Sequence, residues 1–258
     1  MPARYDQHFL IDEAAADTIV SAAGIGAGDP VIEIGPGAGV LTRRLLDRGA
    51  ASTVVEVDDK LIPGLTQRFG EHENFSLVHS DFLKLNLDEL PKEATIISNL
   101  PYSVGTPILQ RLLDWPQWDV AVLMLQKEVV DRILSDPGSR AYGILTLSVA
   151  IKADTEHICD VGPECFQPPP KVSSSVMRLH RYPKMRLPDT LREKDFFRIV
   201  RAAFSQRRKM AAKSIAAVLG MPRADVDAAF AATGLSLSAR AETLSLDEFV
   251  SLAARLTS

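Results

Sequence analysis

Between residues 12 and 180 the chain alternates two hydrophobic rhythms. Short runs rich in β-branched residues, Val31-Ile32-Glu33-Ile34, Thr53 to Val57, Phe75 to His79, Ile96 to Ser98 and Val120 to Leu125, read as buried strands. Between them, apolar positions recur at helical spacing. Ile11 to Ala23 has Asp12 near its start and Gly24 just past its end, and Val40 to Asp47 repeats the pattern. Strands alternating with helices predict an α/β domain whose parallel sheet carries helices on both faces. Thr155 to Asp160 and Val172 to Leu179 are joined by Phe166-Gln167-Pro168-Pro169-Pro170 without a helix, and predict an antiparallel pair closing one sheet edge.

The polar, proline-punctuated stretch Arg181 to Pro188 breaks this rhythm, and no strand pattern follows it. Asp195 is placed to cap a long helix running to about residue 219, stopped by Gly220 and Pro222. Asp225 to Thr233 predicts a second helix, ended by Gly234. Ser245-Leu246-Asp247-Glu248 has capping-box spacing and opens a third. The expected organisation is therefore an α/β domain over residues 1–183 and a small α-helical domain over 184–258.

Composition narrows the class only slightly. At 258 residues, 46% hydrophobic and 24% charged, the chain can bury a substantial core. No apolar run is long enough to span a bilayer and the first residues lack a signal-peptide pattern, so a cytoplasmic protein without membrane association is expected. Cys159 and Cys165 match neither a zinc spacing nor a redox pair, and the five histidines are scattered, so no metal is expected. The formal net charge of −4 argues against binding nucleic acid over the whole surface, leaving a local basic face as the alternative.

Two constellations carry chemistry. Glu33-Ile34-Gly35-Pro36-Gly37-Ala38-Gly39 lies at a strand-to-helix junction, where glycines let a ligand approach the main chain. Glycine loops are common turns, but here the next strand ends in Glu56, followed by Asp58, and the one after in Ser80-Asp81-Phe82. A carboxylate at the first tip can take ribose hydroxyls, and Asp81 beside an apolar wall can receive an adenine amino group. A nicotinamide dinucleotide and S-adenosylmethionine both fit such a clamp. The Gly-x-Gly-x-Gly spacing departs from the dinucleotide fingerprint and favours the methyl donor. The second constellation, Asn99-Leu100-Pro101-Tyr102, ends the fourth strand. By itself it could be a strand followed by a proline turn. Its carboxamide, pre-proline carbonyl and flat aromatic face also suit an exocyclic amine of a nucleobase, which hydride transfer would leave without a role.

Six segments occur in order: Gln7-His8-Phe9-Leu10, Glu33 to Gly37, Asn99 to Tyr102, Leu125-Gln126-Lys127-Glu128-Val129, Phe166 to Val172, and Phe204-Ser205-Gln206-Arg207-Arg208-Lys209. Together they resemble the bacterial small-subunit ribosomal RNA adenine N6,N6-dimethyltransferase family over nearly the whole chain. The resemblance implies a Rossmann-like class I methyltransferase sheet that uses S-adenosylmethionine and releases S-adenosylhomocysteine. It places His8, Leu10, Gly35, Gly37, Glu56, Asp81 and Asn99 at the donor. It places Asn99, Leu100, Pro101 and Tyr102 at the target base, with Phe166 as the second stacking ring.

The implied substrate is a pair of adjacent adenosines in the 3′-terminal hairpin of 16S ribosomal RNA, methylated by a monomer acting on the small ribosomal subunit during its assembly. The residues add a basic face: no acid lies between Phe196 and Lys213, so Arg201, Arg207, Arg208 and Lys209 form a phosphate-contact surface, with Lys171 as a further contact. Two other readings stand beside this one. They are a large-subunit (23S) ribosomal RNA methyltransferase of the macrolide-resistance type and a catalytically silent ribosome-assembly factor. Silence would have damaged the glycine loop, Glu56, Asp81 or Asn99, all of which are intact.

Overall fold

The computed structural model describes residues 7–206 and 208–257 and divides into two compact units. The first contains the described residues up to Val130, with Asp154–Arg181. Its elements are β1 (Phe9–Leu10), α1 (Glu13–Ala22), β2 (Pro30–Ile34), α2 (Val40–Asp47), β3 (Ala51–Glu56), α3 (Ile62–Phe69), β4 (Phe75–His79), β5 (Ala94–Asn99), α4 (Gly105–Asp114) and β6 (Trp118–Gln126). After α5 (Lys127–Ile133) and α6 (Ile144–Ala150) come β7 (Ala153–Val161), β8 (Phe166–Gln167) and β9 (Ser174–Arg181).

A seven-stranded sheet runs in the order β4-β3-β2-β5-β6-β9-β7, with β4 to β6 parallel and β9 antiparallel to β6. The fold is α/β, as the alternating rhythm predicts. Strands β9 and β7 are neighbours at one end of the sheet, where the expected terminal pair was placed, with β9 against β6 and β7 at the edge. In the centre, Val31, Ile32, Ile96, Ile97, Val122 and Leu123 are fully buried, which is why these strands read as continuous apolar runs. Helix α1 presents Ala16, Ile19, Val20 and, just past its end, Ala23 to this core at helical spacing. The Asp12 Oδ1 atom caps it by accepting from the Ala15 amide at 2.7 Å.

Strand β2 pairs with β3 on one side and β5 on the other. Strand order therefore reverses there, and a crevice opens beyond the carboxyl ends of the strands. The Ser98 hydroxyl on β5 donates to the Ile34 carbonyl on β2, tying together the two strand tips that border the crevice. Above it lies a two-residue antiparallel ribbon, β1 with β8, pairing Phe9 with Gln167 and Leu10 with Phe166. Elements this short carry no periodicity and are invisible in the sequence pattern.

The second unit contains Asp131–Ala153 and the chain from Tyr182 onward. Sequence reading placed a single boundary at residue 183; the structure packs residues 131–153 with the helical unit instead. Tyr142 anchors this excursion, its hydroxyl donating to the Leu244 carbonyl at 2.8 Å. Helices α7 (Glu193–Phe204), α8 (Ala211–Leu219), α9 (Arg223–Ala232) and α10 (Leu246–Thr257) surround a core that includes Phe196, Ile199, Ile215, Phe230, Phe249 and Leu252.

The long helix expected from Asp195 to about 219 is broken in two. Arg192 is the N-cap residue, and Asp195 lies in the first turn, where it accepts from the Arg192 guanidinium at 2.6 Å. The segment following Phe204 has no apolar side chain before Met210, which is itself exposed, and burial resumes at Ala211. Met210 is extended (ψ 135°), forms an antiparallel bridge with Arg240, and starts α8. The predicted capping box of α10 is present: Glu248 Oε2 accepts from the Ser245 amide at 2.7 Å, and the Glu248 amide donates back to Ser245 Oγ at 3.3 Å.

Candidate active site

A cavity of about 560 Å³ occupies the crevice in the first unit. The tips of β2, β3 and β5 and the segment after β4 form its floor, and Gln7 to Leu10 with Phe166 line it from the β1–β8 ribbon. It is lined by His8, Leu10, Gly35, Gly37, Glu56, Asp81, Asn99, Leu100, Pro101, Tyr102 and Phe166, so every residue assigned from sequence to donor or base meets in one space.

The glycine loop bends through left-handed conformations that side chains rarely adopt: φ is +66° at Gly35 and +55° at Gly37. A Cβ at Gly37 would stand 2.9 Å from the Phe9 ring, so this glycine also lets the N-terminal segment lie down on the loop. Glu56, the last residue of β3, is 3% exposed, and its Oε1 accepts from the Val57 and Asp58 amides at 2.8 and 2.7 Å. Burial raises its pKa while these amide bonds oppose the rise. Asp58 in turn accepts from Gln7 Nε2 at 3.1 Å, fastening the N-terminal segment beside the glutamate. Asp81 turns the chain after β4, accepting from the Leu83 amide at 2.9 Å, beside the buried ring of Phe82.

Asn99 ends β5. Its Nδ2 donates to the His8 carbonyl at 3.3 Å, which turns Oδ1 the other way as an acceptor. The Leu100 amide is bound to the Met124 carbonyl at 3.0 Å, and the Leu100 carbonyl precedes Pro101. The ring lying against Tyr102 is that of His8, with centroids 5.6 Å apart and planes 35° apart. A carbonyl only accepts, so the 2.7 Å contact between His8 Nδ1 and the Pro168 carbonyl puts the proton on Nδ1. Phe166 is 3% exposed and lines the same cavity from β8. Val104 lines the cavity as well, whereas Gly105 faces Leu125, whose Cδ2 would stand 2.4 Å from an added Cβ.

The geometry adds one residue that sequence reading left without a role. Glu33, on the central strand, is 1% exposed. Thr42 Oγ1 donates to its Oε2 at 2.6 Å, while its Oε1 is buried without a partner. Loss of solvent pushes this carboxyl up to about 7, with the charge of Glu56 adding to the rise and Thr42 opposing it. An acid in a run buried on both faces was the available signal, because a carboxylate is almost never left there unless something pairs with it. A buried acceptor facing a cavity is suited to a cationic ligand.

A protein-family model described as "Ribosomal RNA adenine dimethylase" matches residues 2–258. The chain belongs to that family. Among curated relatives, it is 41% identical over 250 residues to the Ribosomal RNA small subunit methyltransferase A of Clostridium acetobutylicum, covering 95% of this chain and 90% of that one. It is 40% identical over 270 residues to the protein of the same name from Synechococcus elongatus, covering 98% and 94%. Two solved structures share the architecture. A dimethyladenosine transferase from Plasmodium falciparum has a TM-score of 0.79 at 26% identity, covering 95% of this chain and 96% of that one. The 23S rRNA methyltransferase ErmE has a TM-score of 0.76 at 28% identity, covering 97% and 100%.

For a dimethylase the cavity chemistry is coherent. Glu56, Asp81 and the orphaned Glu33 oxygen line the cavity as acceptors suited to hydroxyls, an amine and a cation. The residues assigned to RNA lie elsewhere. Lys171 is exposed in the first unit; Arg201, Arg208 and Lys209 are exposed in the second, Arg201 lying over the Phe197 ring at 5.5 Å. Arg207 lies outside the described residues. Among the described residues no helix is long and apolar enough to cross a membrane, and no group of three or more His, Cys, Asp or Glu side chains could hold a metal ion.

Proposed function

We propose that this protein uses S-adenosylmethionine to convert two adjacent adenosines in the 3′-terminal hairpin of small-subunit (16S) ribosomal RNA to N6,N6-dimethyladenosine during ribosome assembly. The observation that carries the reading is the Asn99 amide, held by the His8 carbonyl so that its oxygen accepts, next to the pre-proline carbonyl of Leu100. The bound donor supplies an electrophilic methyl carbon on its sulfonium. The chain supplies orientation. An adenine N6 lone pair is delocalised into the ring, so the free amine is a weak nucleophile.

Asn99 Oδ1 and the Leu100 carbonyl accept the two N6 hydrogens and favour a pyramidal nitrogen whose lone pair faces the methyl group. As the C–N bond forms, the C–S pair returns to sulfur, yielding S-adenosylhomocysteine. The N6 proton, now acidic, leaves to water, so no strong base is required. Tyr102 and Phe166 hold the unpaired base by stacking, which contributes about 1–3 kcal/mol per base in single-strand binders.

The similarity to ErmE supports a second reading, methylation of large-subunit RNA. The test that separates them incubates the protein with labelled S-adenosylmethionine and, separately, unmethylated small and large subunits, then quantifies nucleosides by mass spectrometry. Dimethyladenosine in the small subunit alone is the expected result. Product in the large subunit moves the protein to the second reading, and no product despite donor binding leaves a silent assembly factor.

The exposed cations after α7 give a further expectation. Arg208→Ala with Lys209→Ala should weaken RNA binding and flatten the slope of log K against log salt by about 1.4–1.8, the amount expected for two lost phosphate contacts. An unchanged slope in a salt titration would return these side chains to ordinary solvation.

A further inference from the structure

We propose that Ser174 is a positioning residue for methyl transfer, fixing where the Tyr102 ring lies through a hydroxyl–hydroxyl hydrogen bond. The inference rests on the reading above, in which Tyr102 is a stacking face for the target base. Tyr102 Oη and Ser174 Oγ are 2.7 Å apart, although the residues are 72 positions apart in sequence. Ser174 is fully buried and does not line the cavity, so it reaches substrate only through Tyr102.

The two partners differ in rigidity. Tyr102 sits in the turn after β5, where the nearby backbone bond is Val104 amide to Pro101 carbonyl at 3.1 Å. Ser174 begins β9, in register with Gln126 on β6, and the neighbouring Lys127 amide is bound to the Ser173 carbonyl at 3.0 Å. The bond therefore ties an irregular turn to the sheet. A tyrosine held at Cα and at Oη cannot swing about χ1, so its ring keeps one place relative to Asn99 and Leu100 on the same tip. Stacking is sequence-tolerant and weakly directional, so a ring free to swing would hold a base without aiming its N6. Preorganisation of this kind is read in kcat/KM for the RNA and leaves donor binding alone.

The experiment is a double-mutant cycle with Ser174→Ala, Tyr102→Phe and the double variant, alongside Tyr102→Ala. It measures kcat/KM for unmethylated small subunits, with donor Kd and thermal midpoint recorded for each protein. Each single variant should lose about 2- to 12-fold in kcat/KM, the range for one removed hydrogen bond, and the double variant should lose no more than either. Donor Kd should be unchanged throughout. Additive losses, full activity in Tyr102→Phe, or a loss of donor binding in Ser174→Ala matching its loss of rate would each overturn the proposal. Should Ser174→Ala fail to fold, Tyr102→Phe decides alone, since it removes the same bond from a half-buried ring. Tyr102→Ala checks the underlying reading: unimpaired methylation by that variant removes stacking itself, whereas a large loss with an intact Tyr102→Phe removes only the role of Ser174.

Discussion

Replacing Asn99 with alanine is expected to lower the single-turnover rate of methylation by about 10²–10³-fold, the usual cost of removing one preorganised polar group at a reacting centre. The side chain has two functions that separate in this measurement. In the proposed mechanism its Oδ1 is one of two acceptors for the amine hydrogens, and without it N6 would stay planar and poorly nucleophilic. Its Nδ2 donates to the His8 carbonyl, helping to hold the N-terminal segment along the cavity. Losing that neutral bond costs about 0.5–1.5 kcal/mol, so donor Kd should weaken by roughly 2- to 12-fold. The signature is a rate loss far exceeding the affinity loss. Comparable losses in both would make Asn99 a donor-binding residue only, and an unchanged rate would remove it from the mechanism.

Glu33→Gln is expected to stabilise the donor-free protein at neutral pH while weakening donor binding. The folded carboxyl titrates at about 7, above its ordinary 4.5, because burial disfavours the charged form. The folded chain therefore holds this proton more tightly than the unfolded chain. Its contribution is fully present below about pH 4.5 and is lost as pH rises through about 7, a difference of about 3 kcal/mol at most. Glutamine keeps an acceptor for the Thr42 hydroxyl and carries no charge. Thermal midpoints of the variant should not fall between pH 5 and 7 as those of the parent do, and should exceed them above pH 7.

Donor binding should move the opposite way. A donor whose cationic end meets ionised Glu33 binds about tenfold tighter at pH 8 than at pH 6, and that dependence should vanish in the variant. Identical pH profiles for the two proteins would show that the orphaned oxygen is not used by the donor.

Glu33 illustrates how a residue can be plain in a sequence and its role hidden. It sits inside the Glu-x-Gly-x-Gly segment, yet the feature that makes it reactive is the combination of full burial, one oxygen bound by Thr42 and one left over. Each of those is a property of neighbours. Tyr102 is similar. Its flat face could be read from its residue type, but the partner that orients it comes from β9, and the ring beside it is His8 rather than one anticipated from the tetrapeptide. Gly35, Glu56 and Asn99 were legible because each ends a strand or opens a loop, where local pattern marks the spot, whereas His8 and Leu10 at the two-residue β1 were legible only through the family resemblance. Gly105, three residues past the tetrapeptide, packs against Leu125, a neighbour 20 residues on that local pattern does not name.

By itself the sequence determined the α/β class, the strands bearing Glu33, Glu56 and Asn99, and the family, since hydrophobic period and side-chain type are local properties that the chain carries wherever it folds. Only the tertiary structure decided the rest. The two-residue β1–β8 ribbon exists because Leu10 and Phe166, far apart in the chain, pair across it. The break between α7 and α8 exists because Met210 bridges to Arg240. Residues 131–153 belong to the helical unit because Tyr142 finds the Leu244 carbonyl. In each case a backbone or buried polar group takes a partner distant in sequence, and satisfying it outweighs the local preference that periodicity records.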